Sequence, residues 1–131
     1  MMDSESRRNQ MITLKTLPQA TAQEVFDQVV NHLLTQNQAC MSYLNNVNTC
    51  SYKNYEGLKC AAGCFVADEE YHCLMEGKGW KSLVEMGLAP EAHQTAISSY
   101  QRLHDEYSPE LWGKLLEEYA KMHALDFNYA Q

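Results

Sequence analysis

In "TAQEVFDQVVNHLLTQ", Ala22, Val25, Phe26, Val29, Val30, Leu33 and Leu34 are apolar at helical spacing, which predicts an amphipathic helix. Thr21 and Glu24 make the T-x-x-E capping box that starts it, with Pro18 harmlessly upstream. Asp68 is placed to cap a short helix through "EEYHCLME" that stops at Gly77, and "WKSLVEM" reads as another that stops at Gly87. Pro90 suits the first turn of a helix running to about Tyr107, and Ser108-Pro109-Glu110 announces the last one. The patterned face of the first of these is His93, Ala96, Ile97, Tyr100, Leu103, His104 and Tyr107. That of the second is Leu111, Trp112, Leu115, Leu116, Tyr119, Met122 and His123. Two antiparallel helices are expected.

Between residues 37 and 66 the pattern changes to Asn, Thr, Tyr, Val and Cys, with a turn-like "NYEG" at 54–57. A β-hairpin pairing "TCSYK" with "LKCAAGCFV" fits best. A loop centred near Tyr55 sets Cys50 opposite Cys60, and strand alternation puts Cys60, Ala62 and Cys64 on one face. A helical reading also keeps Cys60 and Cys64 together, at i and i+4. Ala61, Ala62 and Gly63 let another backbone approach closely. Residues 1–12 are polar and unpatterned and are expected to form a mobile tail, leaving 13–131 as one globular domain. The fold class is α+β and predominantly helical, with a small β-hairpin packed on a helical bundle. No internal repeat or long heptad run interrupts this plan.

Bulk properties remove several function classes. At 131 residues with 45% hydrophobic content the chain buries a real core without disulfides. No apolar run approaches a membrane span and no signal-peptide core is visible, so a cytoplasmic location with reduced thiols is expected. The net charge of −7 argues against binding a nucleic-acid backbone. The acids are spread in short groups, as on a solvated surface or one that steers toward a basic partner.

Candidate chemistry centres on "GLKCAAGCFVADEEYHC" (57–73). Cys50, Cys60 and Cys64 with His72 or Cys73 offer a zinc-type donor set, although C-x9-C-x3-C-x7-H-C matches no standard structural spacing. The competing reading is buried reduced cysteines acting as small hydrophobes, and no cofactor is then needed. A facing Cys50/Cys60 pair is the redox alternative. A hairpin thiol with His104 and Asp105 would make a Cys-His-Asp set, or a small pocket of Cys50, Cys60, His104 and Asp105. No catalytic residue is assigned. Phosphate-loop, H-E-x-x-H and G-x-S-x-G elements are lacking from the sequence. Tyr43, Tyr52 and Tyr55 near the hairpin suit an interaction surface.

The segments "CSYKNYEGLKCAAGCFVADEEY", "MEGKGWKSLVEMG" and "LHDEYSPELW" resemble a group of small uncharacterised proteins of tailed bacteriophages and their prophages. The pattern is Cys-x-Tyr, Gly-x-Lys-Cys-Ala-x-Gly, an acidic-Tyr turn, and Leu-His-Asp before a tryptophan. Here it falls on Cys50, Tyr52, Gly57, Lys59, Cys60, Ala61, Gly63, Asp68, Tyr71, Glu76, Gly77, Leu103, His104, Asp105 and Trp112, within about residues 13–126. Cys64 and Cys73 fall outside it. The resemblance implies a phage accessory protein and brings no established activity. Together with the small size, the acidity and the lack of a catalytic motif it leads to the expectation of a non-enzymatic protein that binds and modulates or inhibits a host protein, such as a component of defence or transcription, in the host cytoplasm. A partner with a basic surface is expected. The alternatives are a metal or thiol-redox protein using Cys50, Cys60 and Cys64, and a virion or oligomer-forming structural protein.

Overall fold

The computed structural model describes residues 10–44 and 47–129. It is α+β and helix-dominated, with a two-stranded antiparallel sheet. Helix α1 spans Ala22–Gln36 and carries both capping-box bonds. Glu24 N–H donates to Thr21 Oγ1 (3.1 Å), and Thr21 N–H donates to the Glu24 carboxylate (2.8 Å). Its buried stripe is Val25, Phe26, Val29, Val30 and Leu33, and Asn37 ends it in the left-handed region, φ 53°. The expected tail at 1–9 lies outside the described residues. From Ile12 on, the chain is tied down, its N–H and C=O both bonded to the Gln28 amide (2.7 and 2.9 Å).

Helix α2 (Trp80–Glu85) stops at Gly87, φ +77°, as the sequence predicts. Helix α3 (Gln94–Glu106) starts later than Pro90 suggests. His93 is held at φ 64° and its Nε2–H donates to Ala20 O (2.8 Å), so the turn before the helix is pinned to the start of α1. Helix α4 (Pro109–Met122) follows with Pro at N1. It buries Trp112, Leu116 and Ala120, whereas Leu111 and Met122, from the expected apolar face, are exposed. Phe26 of α1, Tyr100 of α3 and Tyr119 of α4 meet with ring centroids 5.0–6.0 Å apart, which ties the three long helices into one core.

The sheet corrects the expected hairpin. β1 (Met41–Leu44) pairs with β2 (Val47–Cys50), with Met41 opposite Cys50. The 54–57 turn forms, but the chain around it holds only one bridge, Lys53 to Lys59, with Cys60 N–H on Tyr52 O (3.3 Å). Cys60 therefore faces Tyr52, and Cys50 is occupied by β1. Strand pairing stops there for two reasons. The Glu76 carboxylate accepts the N–H groups of Tyr52 (2.9 Å) and Lys53 (3.3 Å) in place of a neighbouring strand. Beyond Cys60 the chain turns helically, with Cys64 N–H on Cys60 O (3.2 Å) and a short 3-10 turn at Gly63–Phe65.

The helix expected after Asp68 is replaced by two 3-10 turns, Asp68–Glu70 and Cys73–Met75. Here the Glu70 carboxylate receives Ala67 N–H and reaches across to Leu14 N–H and Lys15 N–H (3.0–3.1 Å). Tyr71 and His72 stay extended, and the Tyr71 hydroxyl donates to Glu76 (2.6 Å). Residues 51–79, nearly without regular secondary structure, satisfy their backbone through local turns, with the N–H groups of Tyr52, Lys53 and Ala67 taken by carboxylates. Among the described residues no helix is long and apolar enough to cross a membrane.

Candidate functional site

The last turns of α3 present Gln101, His104 and Asp105 on one face, at i, i+3 and i+4. His104 is 1% exposed and stacks on Trp112, ring centroids 5.4 Å apart. Its Nε2 accepts the backbone N–H of Cys40 (3.0 Å), and its Nδ1–H donates to Asp105 Oδ1 (2.8 Å). Gln101 Nε2–H donates to the same oxygen (2.7 Å), while Gln101 Oε1 accepts Ala62 N–H (2.9 Å). The end of α3 is thereby fastened both to the residue that leads into β1 and to the small-residue turn at 60–64.

Cys50, at the end of β2, completes the cluster. The donor atoms of Cys50, His104 and Asp105 all lie within 4.8 Å of one another. Burial, then the hydrogen bond to and charge of Asp105, push the Cys50 thiol up to about 12. Its S–H donates to Met41 Sδ (3.7 Å), and the Asp105 carboxylate lies within 4.8 Å of the sulfur.

This geometry excludes two chemistries. A nucleophilic thiol needs a base with a free lone pair, as in the Ser-His-Asp arrangement, where Nδ1–H faces the acid and Nε2 faces the nucleophile. Here Nε2 faces a backbone N–H, so it receives no proton from Cys50. A metal ion at the cluster would need the Nδ1 lone pair of a neutral imidazole, which places the proton on Nε2, directly against the Cys40 N–H. The donor set does not fit an ion without breaking the bond that holds β1 to α3. The arrangement works as a clamp in which the Asp105 carboxylate holds Gln101 and His104 of its own helix, and these two in turn fasten α3 to Ala62 and to Cys40.

The expected zinc set is not assembled. Cys60 and Cys64 are buried, and burial raises the Cys60 thiol well above its usual range and the Cys64 thiol to about 12. Cys60 Sγ accepts Gly63 N–H (3.2 Å), and Cys64 S–H donates to Ala61 O (3.1 Å). Cys73 is exposed, and His72 Nδ1 accepts the nearby Leu74 N–H (3.0 Å). Among the described residues the one group of donor atoms close enough for an ion is Cys50, His104 and Asp105, and all five cysteines are free thiols. Of the pocket residues, Cys50, Cys60 and Asp105 do line one small cavity of about 260 Å³.

The three tyrosines divide. Tyr52 is 5% exposed, packed near Trp80 (centroids 6.5 Å), its hydroxyl donating to Lys78 O (2.6 Å), so it belongs to the core rather than to a surface. Tyr43 on β1 is 64% exposed and Tyr55, in the 54–57 turn, is 95% exposed. That turn is firmly built. Asn54 is buried, its side-chain oxygen accepts Glu56 N–H and Leu58 N–H (both 3.0 Å), and its amide donates to Met41 O (2.9 Å). Gly57 supplies φ +86°. Cys40 and Gln101 are not singled out by the sequence reading, whereas Asn54 is marked there as the start of the 54–57 turn and Glu76 as a position of the resembled pattern. Gln101 carries a signal in its i, i+4 spacing to Asp105.

Comparison with protein-family models, with characterised proteins and with solved structures finds no match to this chain in any of the three.

Proposed function

We propose that the chain is a small acidic binding module of the phage accessory type, acting by docking on a host protein with a basic surface in the host cytoplasm, and not by catalysis. The observation that carries this reading is Tyr55, 95% exposed on a turn that Asn54 holds rigid against β1. Tyrosine loses little conformational freedom on contact and offers both an apolar ring and a hydroxyl, which suits it as an anchor. The Asn54 bond to Met41 joins this turn to the strand that carries Tyr43, so two exposed tyrosines ride on one braced unit. The net charge of −7 adds long-range attraction toward a basic partner. The resemblance to small phage proteins points the same way.

The test is affinity capture from host lysate followed by measured binding of the captured protein. Tyr55→Ala should weaken binding by roughly 30-fold or more, the size of a true hot spot, while the circular-dichroism spectrum and unfolding midpoint stay unchanged. Unchanged affinity of Tyr55→Ala and Tyr43→Ala would sink the reading.

A further inference from the structure

The cavity beside the clamp has room for about one side chain. At about 260 Å³ it falls below the roughly 300–1,000 Å³ of ordinary small-molecule pockets. Cys50, Gly77, Lys78, Gly79, Gln101 and Asp105 are on its walls. Two charged residues line it, Lys78 and Asp105, and the Asp105 side chain is 36% exposed. Among the described residues the hydrogen bonds made to that carboxylate come from neutral donors, the Gln101 amide and His104 Nδ1–H, and the Cys50 sulfur lies within 4.8 Å of it. The amide and the ring both end on Oδ1. Among the described residues no lysine or arginine comes within 4.0 Å of it, although Lys53 and Lys59 both reach the exposed Asp68. Lys78, the cation of the cavity wall, makes no ion pair there either, and its carbonyl is taken by Tyr52. Gly77 and Gly79 present no side chains, and a Cβ at either would meet nothing within 4 Å, so the wall beside Lys78 is open.

We infer that this cavity receives the basic side chain of the partner, an arginine, with Asp105 as its counter-charge. A carboxylate held by neutral donors at the mouth of a cavity is fixed in position but not neutralised, and it gains from a cation that also donates hydrogen bonds. Arginine suits it better than lysine because its planar guanidinium is more weakly hydrated and loses less on leaving water. Cys50 lies opposite Met41 on the strand pair that carries Tyr43, so the cavity is continuous with the hairpin that the docking reading uses. The inference rests on that reading for the identity of its ligand as part of a protein partner.

The experiment is an amide NMR titration of the intact protein with N-acetyl-arginine amide, and in parallel with N-acetyl-citrulline amide, which has the same shape without the charge. The arginine probe should give saturable shifts at Gly77, Gly79 and Gln101 with a Kd of roughly millimolar size, and the citrulline probe should bind at least about tenfold more weakly. Asp105→Asn, which keeps an oxygen acceptor, should reduce the arginine response to the citrulline level. Equal response to the two probes, or shifts confined to other acidic surfaces, overturns the inference on the wild-type protein alone, whether or not the variant folds. Failure here is separable from failure of the docking reading. A captured partner whose affinity falls with Tyr55→Ala but not with Asp105→Asn overturns only the arginine site.

Discussion

A Cβ built on Gly63 would stand 2.2 Å from the carbonyl oxygen of Tyr52, a contact with backbone that no rotamer change relieves. The glycine there is a matter of space, since the 60–64 turn presses directly on the chain that leaves β2. Gly113 in α4 is the opposite case, because its added Cβ would meet only Leu34 Cδ2 at an ordinary 3.8 Å. Gly63→Ala should therefore cost about 3 kcal/mol. Gly113→Ala should add about 1 kcal/mol through helix propensity. Urea unfolding decides this: the midpoints should move in opposite directions at constant slope. A tolerated Gly63→Ala would mean that the 60–64 turn does not lie against Tyr52. The "small residues let a backbone approach" reading of Ala61-Ala62-Gly63 was legible in the sequence, and the identity of the approaching backbone was not.

At the scale of elements, what could be read depended on whether the cause was local. α1 is written in its stripe and its Thr21/Glu24 box, and α2 and α4 in Gly87 and Ser108-Pro109. Each of those signals acts within one turn of helix. The start of α3 was misplaced because His93 is fixed by a bond to Ala20, seventy-three residues away. The hairpin was placed one strand too late for a similar reason. The 54–57 turn is real and was legible. The pairing of "TCSYK" with "LKCAAGCFV" ends after one bridge because Glu76 takes the N–H groups of Tyr52 and Lys53. No propensity or alternation rule describes a carboxylate that substitutes for a strand. The clamp was half legible: Cys50, His104 and Asp105 were singled out from residue type, whereas the tautomer that decides their role follows from the Cys40 N–H alone.

For the molecule as a whole, the excess of acids is partly internal architecture. Glu70 and Glu76 each gather backbone N–H donors from distant segments, so these two carboxylates brace the fold while keeping the charge that contributes to the steering field. Asp68, held below the usual carboxylate range by Lys53 and then Lys59, adds a surface contribution that is lost in acid. The pH dependence nearer neutrality comes from His32. Its Nε2–H donates to Lys59 O (2.9 Å), and burial lowers its pKa from the ordinary 6.5. A lowered histidine pKa means that the unfolded chain takes up the proton first, so stability is complete above about pH 6.5 and declines as pH falls below it. Denaturant midpoints across about pH 5 to 7.5 should show this fall, and His32→Gln should flatten it. A midpoint that rises on acidification over that window would contradict the assignment.

The Cys50–His104–Asp105 cluster is a clamp, which directs the search for function to the braced tyrosine turn. Long-range proton–nitrogen NMR of the His104 ring, with and without added zinc, tests that role most directly. The structure predicts the proton on Nδ1, a bare Nε2 accepting the Cys40 amide, and no change with zinc. A proton on Nε2, or a ring signal that moves on stoichiometric zinc, would contradict it and return the cluster to the class of metal or thiol centres.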